Sequence, residues 1–118
     1  MKSNIKRSTI VLFGITILSL FLRIYKVSSI PPSLSWDEVS IGYNAYSILK
    51  TGKDEHKKFL PLDTFAAYGD YKPPLPIYLT APAVALFGLN EFAVRFPSVI
   101  FGTATVAVTY VLVLELFS

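Results

Sequence analysis

Two short charged strings in this 118-residue chain are of types that can do chemistry. One is Asp37-Glu38. The other is Asp70-Tyr71-Lys72-Pro73-Pro74. A carboxylate is a proton acceptor for general-base work. A positioned ammonium stabilises developing negative charge. Each string also has a plainer use. Ser35-Trp36-Asp37-Glu38 fits the S-x-x-E capping box, which puts Glu38 at N3 and Asp37 at N2, where a helix N-terminus favours acids. Lys72 can serve as an interfacial anchor, and Trp36, Tyr43 and Tyr46 as interfacial aromatics. His56, within Asp54-Glu55-His56-Lys57-Lys58, reads as a solvated loop residue with little support as a metal ligand.

The elements that must hold these strings are set by charge patterning. Residues 8–22, 73–90 and 96–114 are charge-free runs of 15, 18 and 19 residues, 52 of the 118 in all. Thirteen of the 19 charged residues fall between Arg23 and Lys72. The chain is 53% hydrophobic and 16% charged, with a mean hydropathy of +0.52. That composition excludes disorder. The absence of Cys excludes a disulfide scaffold. A net charge of +3, with lysines interleaved among acids, fits a nucleic-acid binder poorly. A bilayer needs about 20 apolar residues of helix. The expectation is therefore an all-α membrane protein of about three transmembrane helices, at 8–25, 73–89 and 93–117. Pro76 falls near the start of the second, where a missing N–H costs little. Pro82 falls inside it and should kink it. The first run also resembles a secretory signal peptide, but Arg23 and Lys26 occupy the would-be cleavage region, and an uncleaved anchor is the better reading.

Between the first two runs lies a polar loop, 27–72. After the capping box, Ile41, Ala45, Ile48 and Leu49 form one apolar stripe, and Thr51-Gly52 supplies a stop. This spacing predicts a short amphipathic interfacial helix over 36–50. The segment 61–71 reads as irregular. Lys2, Lys6, Arg7 and Arg95 count for one side of the membrane, and Arg23, Lys26 and Lys72 for the other. The small excess places the N-terminus in the cytoplasm and loop 27–72 outside. Arg95 is then a topology signal, and Gly88 and Asn90 mark the turn before the third span. If the first two spans pack antiparallel, Asp37-Glu38 and Lys72 converge at the outer surface.

The order Trp36-Asp37-Glu38, Gly42-Tyr43, Ala45-Tyr46, Lys50-Thr51-Gly52-Lys53-Asp54, Tyr71-Lys72-Pro73-Pro74-Leu75 and Phe87-Gly88-Leu89-Asn90-Glu91-Phe92-Ala93-Val94-Arg95-Phe96-Pro97-Ser98 resembles integral-membrane glycosyltransferases of the GT-C fold. It is most similar to the bacterial protein mannosyltransferase and aminoarabinose transferase group. The resemblance covers nearly the whole chain from Arg23 and rests on order and spacing, since no single motif is specific. It implies transfer of a sugar from a polyprenyl-phosphate carrier to a hydroxyl of a protein or glycolipid, on the non-cytoplasmic face of the cell (inner) membrane, with inversion. It implies Asp37 as general base, Glu38 as its support and Lys72 as the contact to the donor phosphate. Tyr43 and Tyr71 are candidates for lining the substrate site.

That assignment is chemically consistent. A phosphate ester leaves without a strong general acid, but its developing charge calls for a cation. The attacking hydroxyl calls for a proton acceptor in line with the anomeric carbon. A lipid-held donor needs no nucleotide fold, and the chain has neither a Gly-rich nucleotide loop nor a D-x-D motif. No cofactor is expected, and a metal requirement stays open. Full members of the group are several times longer and have more spans, so residues 1–118 are expected to be the N-terminal part of such a membrane domain, inactive alone. The alternative is a small three-span protein acting as a non-enzymatic subunit or scaffold.

Overall fold

The fold is seen in a computed structural model that describes residues 2–117. The side chains of Lys2 and Lys6, counted above as flanking charges, lie outside the described residues. The chain runs α1 (Lys2–Ile24), α2 (Trp36–Thr51), β1 (Phe65–Ala67), β2 (Asp70–Lys72), α3 (Pro74–Phe87) and α4 (Glu91–Phe117). It divides into two compact units, one of Met1–Lys26 with Ser98–Ser118 and one of Val27–Pro97. The division falls within α4, at Pro97, which lies inside that helix.

The first unit contains α1 and most of α4. Among the described residues, two helices are long and apolar enough to cross a membrane, Arg7–Ile24 and Glu91–Phe117. Ile10, Phe13 and Leu22 on α1, and Val108, Leu112 and Leu116 on α4, are all exposed. Large apolar side chains facing outward along a whole helix suit lipid and are costly in water. The second apolar run, 73–90, forms a shorter helix than its length suggests. Pro73 is the N-cap of α3 and Gly88 its C-cap, so 14 residues are helical. At about 1.5 Å per residue, that is roughly 21 Å against a hydrocarbon core of ~30 Å.

The second unit is built on α2. Ser35 accepts from the Glu38 N–H at 3.3 Å, and the Glu38 carboxylate accepts from the Ser35 N–H at 2.9 Å. This is the capping box the sequence predicts, and it satisfies two otherwise orphaned donors. The helix runs one residue past the expected end, to Thr51, because Gly52 at φ 68° closes it in the left-handed region that a glycine enters without strain. The buried face of α2 meets α3. Ala45, Phe65, Ile77, Ala81, Ala83, Val84 and Ala93 form the core, with Ile41, Ile48, Tyr78 and Phe96 against it. Gly42 is there because of close approach: a Cβ on it would stand 2.7 Å from Val94 Cγ2. The small residues Gly42, Ala45, Ala81 and Ala93 let the helix backbones come together.

The segment expected to be irregular contains a hairpin. β1 and β2 pair antiparallel, with Phe65 opposite Lys72, Ala66 opposite Tyr71 and Ala67 opposite Asp70. The two loop residues, Tyr68 and Gly69, have φ of 52° and 79°. Positive φ at both central positions is the I′ geometry that matches strand twist. Phe65 is fully buried and ties the hairpin to the core.

Candidate functional site

In strand β2 the side chains alternate, so Asp70 and Lys72 share a face while Tyr71 takes the other. Lys72 Nζ donates to Asp70 Oδ2 at 2.7 Å and stands 2.6 Å from Asp37 Oδ1. The ammonium therefore bridges two carboxylates, one from the first turn of α2 and one from the hairpin. The Lys72 side chain is only 15% exposed, whereas Asp37 is 69% exposed. The cation is sunk and its partner is open. The hydrogen bond to Asp37, and then that to Asp70, hold the Lys72 ammonium proton above its ordinary 10.5. The same lysine, with the Tyr71 N–H, holds the Asp70 carboxyl below its ordinary 3.8.

Glu38 points to a different cation. Arg95 Nε donates to Glu38 Oε1 at 2.8 Å and Nη2 to Oε2 at 3.2 Å, a bidentate pair. Nη1 donates to the Val27 and Pro31 carbonyls at 2.7 and 3.1 Å, and Nη2 to the Ser33 carbonyl at 3.0 Å. All five guanidinium N–H donors are thus engaged, and Arg95 is 7% exposed. Arg95 pins the segment entering α2, and with Glu38 it sets the orientation of the first turn that carries Asp37. The Arg95 hydrogen bond holds the Glu38 carboxyl below its ordinary 4.5, against an opposing contribution from burial.

This corrects the reading of Arg95 as a cytoplasmic topology signal opposite the loop. An ion pair of 2.8 Å cannot straddle a bilayer, so Glu38 and Arg95 lie on the same side of any membrane. The signal for this was available in part. An arginine between apolar runs, in Ala93-Val94-Arg95-Phe96-Pro97, must find acceptors if buried. Its partner lies 57 positions earlier, beyond what local pattern reveals.

The structure brings Asp37, Glu38 and Lys72 into one region, as expected, but not by packing of two spans. The capped start of α2 and the hairpin do it within one unit. Tyr43 is 52% exposed and lines a cleft of about 400 Å³ with Val39, Ser40, Glu55, His56 and Tyr68. Tyr71 is 71% exposed and is not among that cleft's lining residues. Trp36 packs edge-on against Tyr68, with ring centroids 5.0 Å apart. His56 is engaged with the hairpin, its Nε2 lying 2.9 Å from the Ala66 carbonyl.

Long apolar helices and a compact polar unit carrying a carboxylate–lysine–carboxylate bridge define a membrane-associated protein with a polar site. The chain belongs to the dolichyl-phosphate-mannose-protein mannosyltransferase family, whose model matches residues 14–118. It is therefore a glycosyltransferase-like membrane region. Neither a curated protein nor a solved structure matches it.

Proposed function

We propose that this region takes part in transferring a glycosyl group from a polyprenyl-phosphate carrier to a hydroxyl acceptor, with inversion. Its family is named for a dolichyl-phosphate-mannose donor and a protein acceptor. The observation that carries the reading is Lys72 bridging Asp37 and Asp70 at 2.6 and 2.7 Å. A low-exposure ammonium beside an exposed carboxylate suits a reaction needing an anion stabilised and a proton removed. In the proposed step the donor phosphate takes Lys72 away from Asp37. The freed Asp37 carboxylate accepts the proton of the acceptor hydroxyl. The hydroxyl oxygen bonds to the anomeric carbon as the bond from that carbon to the phosphate oxygen breaks. The electron pair leaves with the phosphate, beside Lys72. Attack opposite the leaving group inverts the centre. Glu38 acts through position, held by Arg95 and the capping box.

The proposed topology has α1 and the part of α4 beyond Pro97 crossing the membrane, with Glu38 and Arg95 on the same side and α3 as a non-spanning helix. The same-side pair Glu38–Arg95 and the 14-residue length of α3 support it. Once Arg95 moves to the side of the loop, three flanking cations (Lys2, Lys6 and Arg7) stand against four (Arg23, Lys26, Lys72 and Arg95), so the charge count no longer favours a cytoplasmic N-terminus. The orientation then rests on the extracytoplasmic chemistry that the family resemblance implies, with the N-terminus in the cytoplasm of an inner-membrane protein.

The test is Lys72→Ala in a transfer-competent protein that contains residues 1–118, assayed for transfer from polyprenyl-phosphate mannose in proteoliposomes. Removing a cation that stabilises the leaving phosphate should lower kcat/KM by about 10²-fold, with a raised donor KM. An unchanged KM and rate overturns the role of Lys72.

A further inference from the structure

We propose that Asp70 is the positioning residue of this site: it keeps the Lys72 ammonium in place while Asp37 gives that ammonium up and takes the proton of the acceptor hydroxyl. This role rests on the transfer reading above and adds a residue to it. The two carboxylates on Lys72 are held differently. Asp70 Oδ2 accepts from Lys72 Nζ at 2.7 Å, and Asp70 Oδ1 accepts from the Tyr71 N–H at 2.7 Å. Both of its oxygens are therefore tied. Asp37 meets Lys72 through Oδ1 at 2.6 Å, and its side chain is otherwise open, at 69% exposed. Asp70 and Lys72 also stand two residues apart on one strand, whereas Asp37 comes from α2. The strand is fixed by its ladder, with Ala67 opposite Asp70 and the fully buried Phe65 opposite Lys72. The bond between Asp70 and Lys72 thus lies within one anchored element, and the bond to Asp37 crosses between two. The second is the one that opens without disturbing the hairpin.

Hydrogen-bonding capacity points the same way. An ammonium has three N–H groups and no acceptor. With Asp37 and Asp70 engaged, one N–H is left to meet an arriving phosphate. Once Asp37 lets go, two face the phosphate and the third stays on Asp70. The Lys72 side chain is only 15% exposed and needs a partner at every stage, because a sunken charge without one is costly. Asp70 also fixes direction. A lysine stem is flexible, and a leaving oxygen is best stabilised by a charge already aimed at it. Without Asp70, the one carboxylate left on Lys72 is Asp37, so the ammonium is drawn toward the base it must release. Lys72 then meets the phosphate, Asp37 takes the proton, and Asp70 acts through Lys72 without touching either substrate.

The experiment has a binding arm and a kinetic arm. In the whole chain in nanodiscs, the carboxyl carbons of Asp37 and Asp70 are followed by ¹³C NMR as methyl phosphate is added, each signal assigned by its loss in the Asn variant. The Asp37 signal should move and the Asp70 signal should stay. Movement of Asp70 alone, or of both together, overturns the proposal. Movement of neither overturns it along with the phosphate role of Lys72. The kinetic arm uses Asp70→Asn in a transfer-competent protein that contains residues 1–118. Asparagine keeps an oxygen for the Tyr71 N–H and gives up the charged bond to Lys72. The kcat should fall about tenfold, the loss expected for one charged hydrogen bond, with no rise in donor KM. Asp70→Glu, which restores the charge, should recover most of the loss. A raised donor KM, a wild-type kcat, or an Asp70→Glu no better than Asp70→Asn overturns the positioning role. Wild-type kinetics in Asp70→Asn count against that role alone, whereas wild-type transfer by Asp37→Asn counts against the transfer reading on which it rests.

Discussion

Replacing Arg95 with Met is the sharpest test of how the site is held. The side chain gives up five hydrogen bonds, two to the Glu38 carboxylate and three to the Val27, Pro31 and Ser33 carbonyls. Bonds to a charged group contribute about 1.5–3 kcal/mol each and neutral ones about 0.5–1.5, so their simple sum is an upper bound. Water can reclaim part of the loss at Glu38, whose side chain is 27% exposed, but little at Arg95 itself. Breaking a buried pair from one side costs about 3–5 kcal/mol, and that is the expected destabilisation in unfolding titrations of the chain in micelles. Arg95→Lys keeps the charge but supplies at most three donors from one atom, so it should fall between Met and wild type. Glu38→Gln combined with Arg95→Met should reveal a coupling of about 1.5–3 kcal/mol. An Arg95→Met variant within about 0.5 kcal/mol of wild type, or additive single changes, would refute the claim that this pair organises the start of α2.

Stability should depend on pH at both ends of the range. Glu38 has a lowered folded-state pKa, so its contribution is full above its ordinary 4.5 and is lost as pH falls through the lowered value. Asp63, paired with Lys58, behaves likewise from its ordinary 3.8 down to about 2. Lys72 has a raised pKa, so its contribution is full below its ordinary 10.5 and is lost as pH climbs through the raised value. Unfolding titrations across pH should show both limbs, and Lys72→Met should flatten the alkaline one. Topology can be read without background because the chain contains no Cys. Single Cys residues at Lys53 and at Leu89, in the turn after α3, should be labelled from the same side by a membrane-impermeant maleimide. Labelling from opposite sides would restore α3 as a span.

Much of the fold was legible where local chemistry decides it. The capping box at Ser35–Glu38 and the left-handed Gly52 mark both ends of α2 in the sequence. The charge-free runs mark α1 and α4. The same rule overreached at α3, because a run without charges includes Pro73 and the Gly88-Leu89-Asn90 turn, which are not helical. The hairpin escaped because its strands have three residues each and its turn puts Tyr68, not the favoured Asn or Asp, at the first positive-φ position. Asp70 and Lys72 could have been placed on one face only once that strand was known. Asp37, Glu38 and Lys72 were legible as chemistry-bearing residues, but the element joining them was not. Arg95 was legible as a cation, yet its partner depends on a tertiary contact that no local spacing encodes.

Sugar transfer by Asp37→Asn, made in a transfer-competent protein that contains residues 1–118, tests the central claim most directly. The substitution keeps the size of the side chain and removes the proton acceptor, while the Glu38–Arg95 pair and membrane insertion should be unaffected. Transfer from polyprenyl-phosphate mannose should fall by about 10²–10⁴-fold, the range for loss of a positioned general base, with donor binding retained. Transfer at the wild-type rate in a correctly inserted Asp37→Asn protein would contradict the assignment of Asp37 as the base.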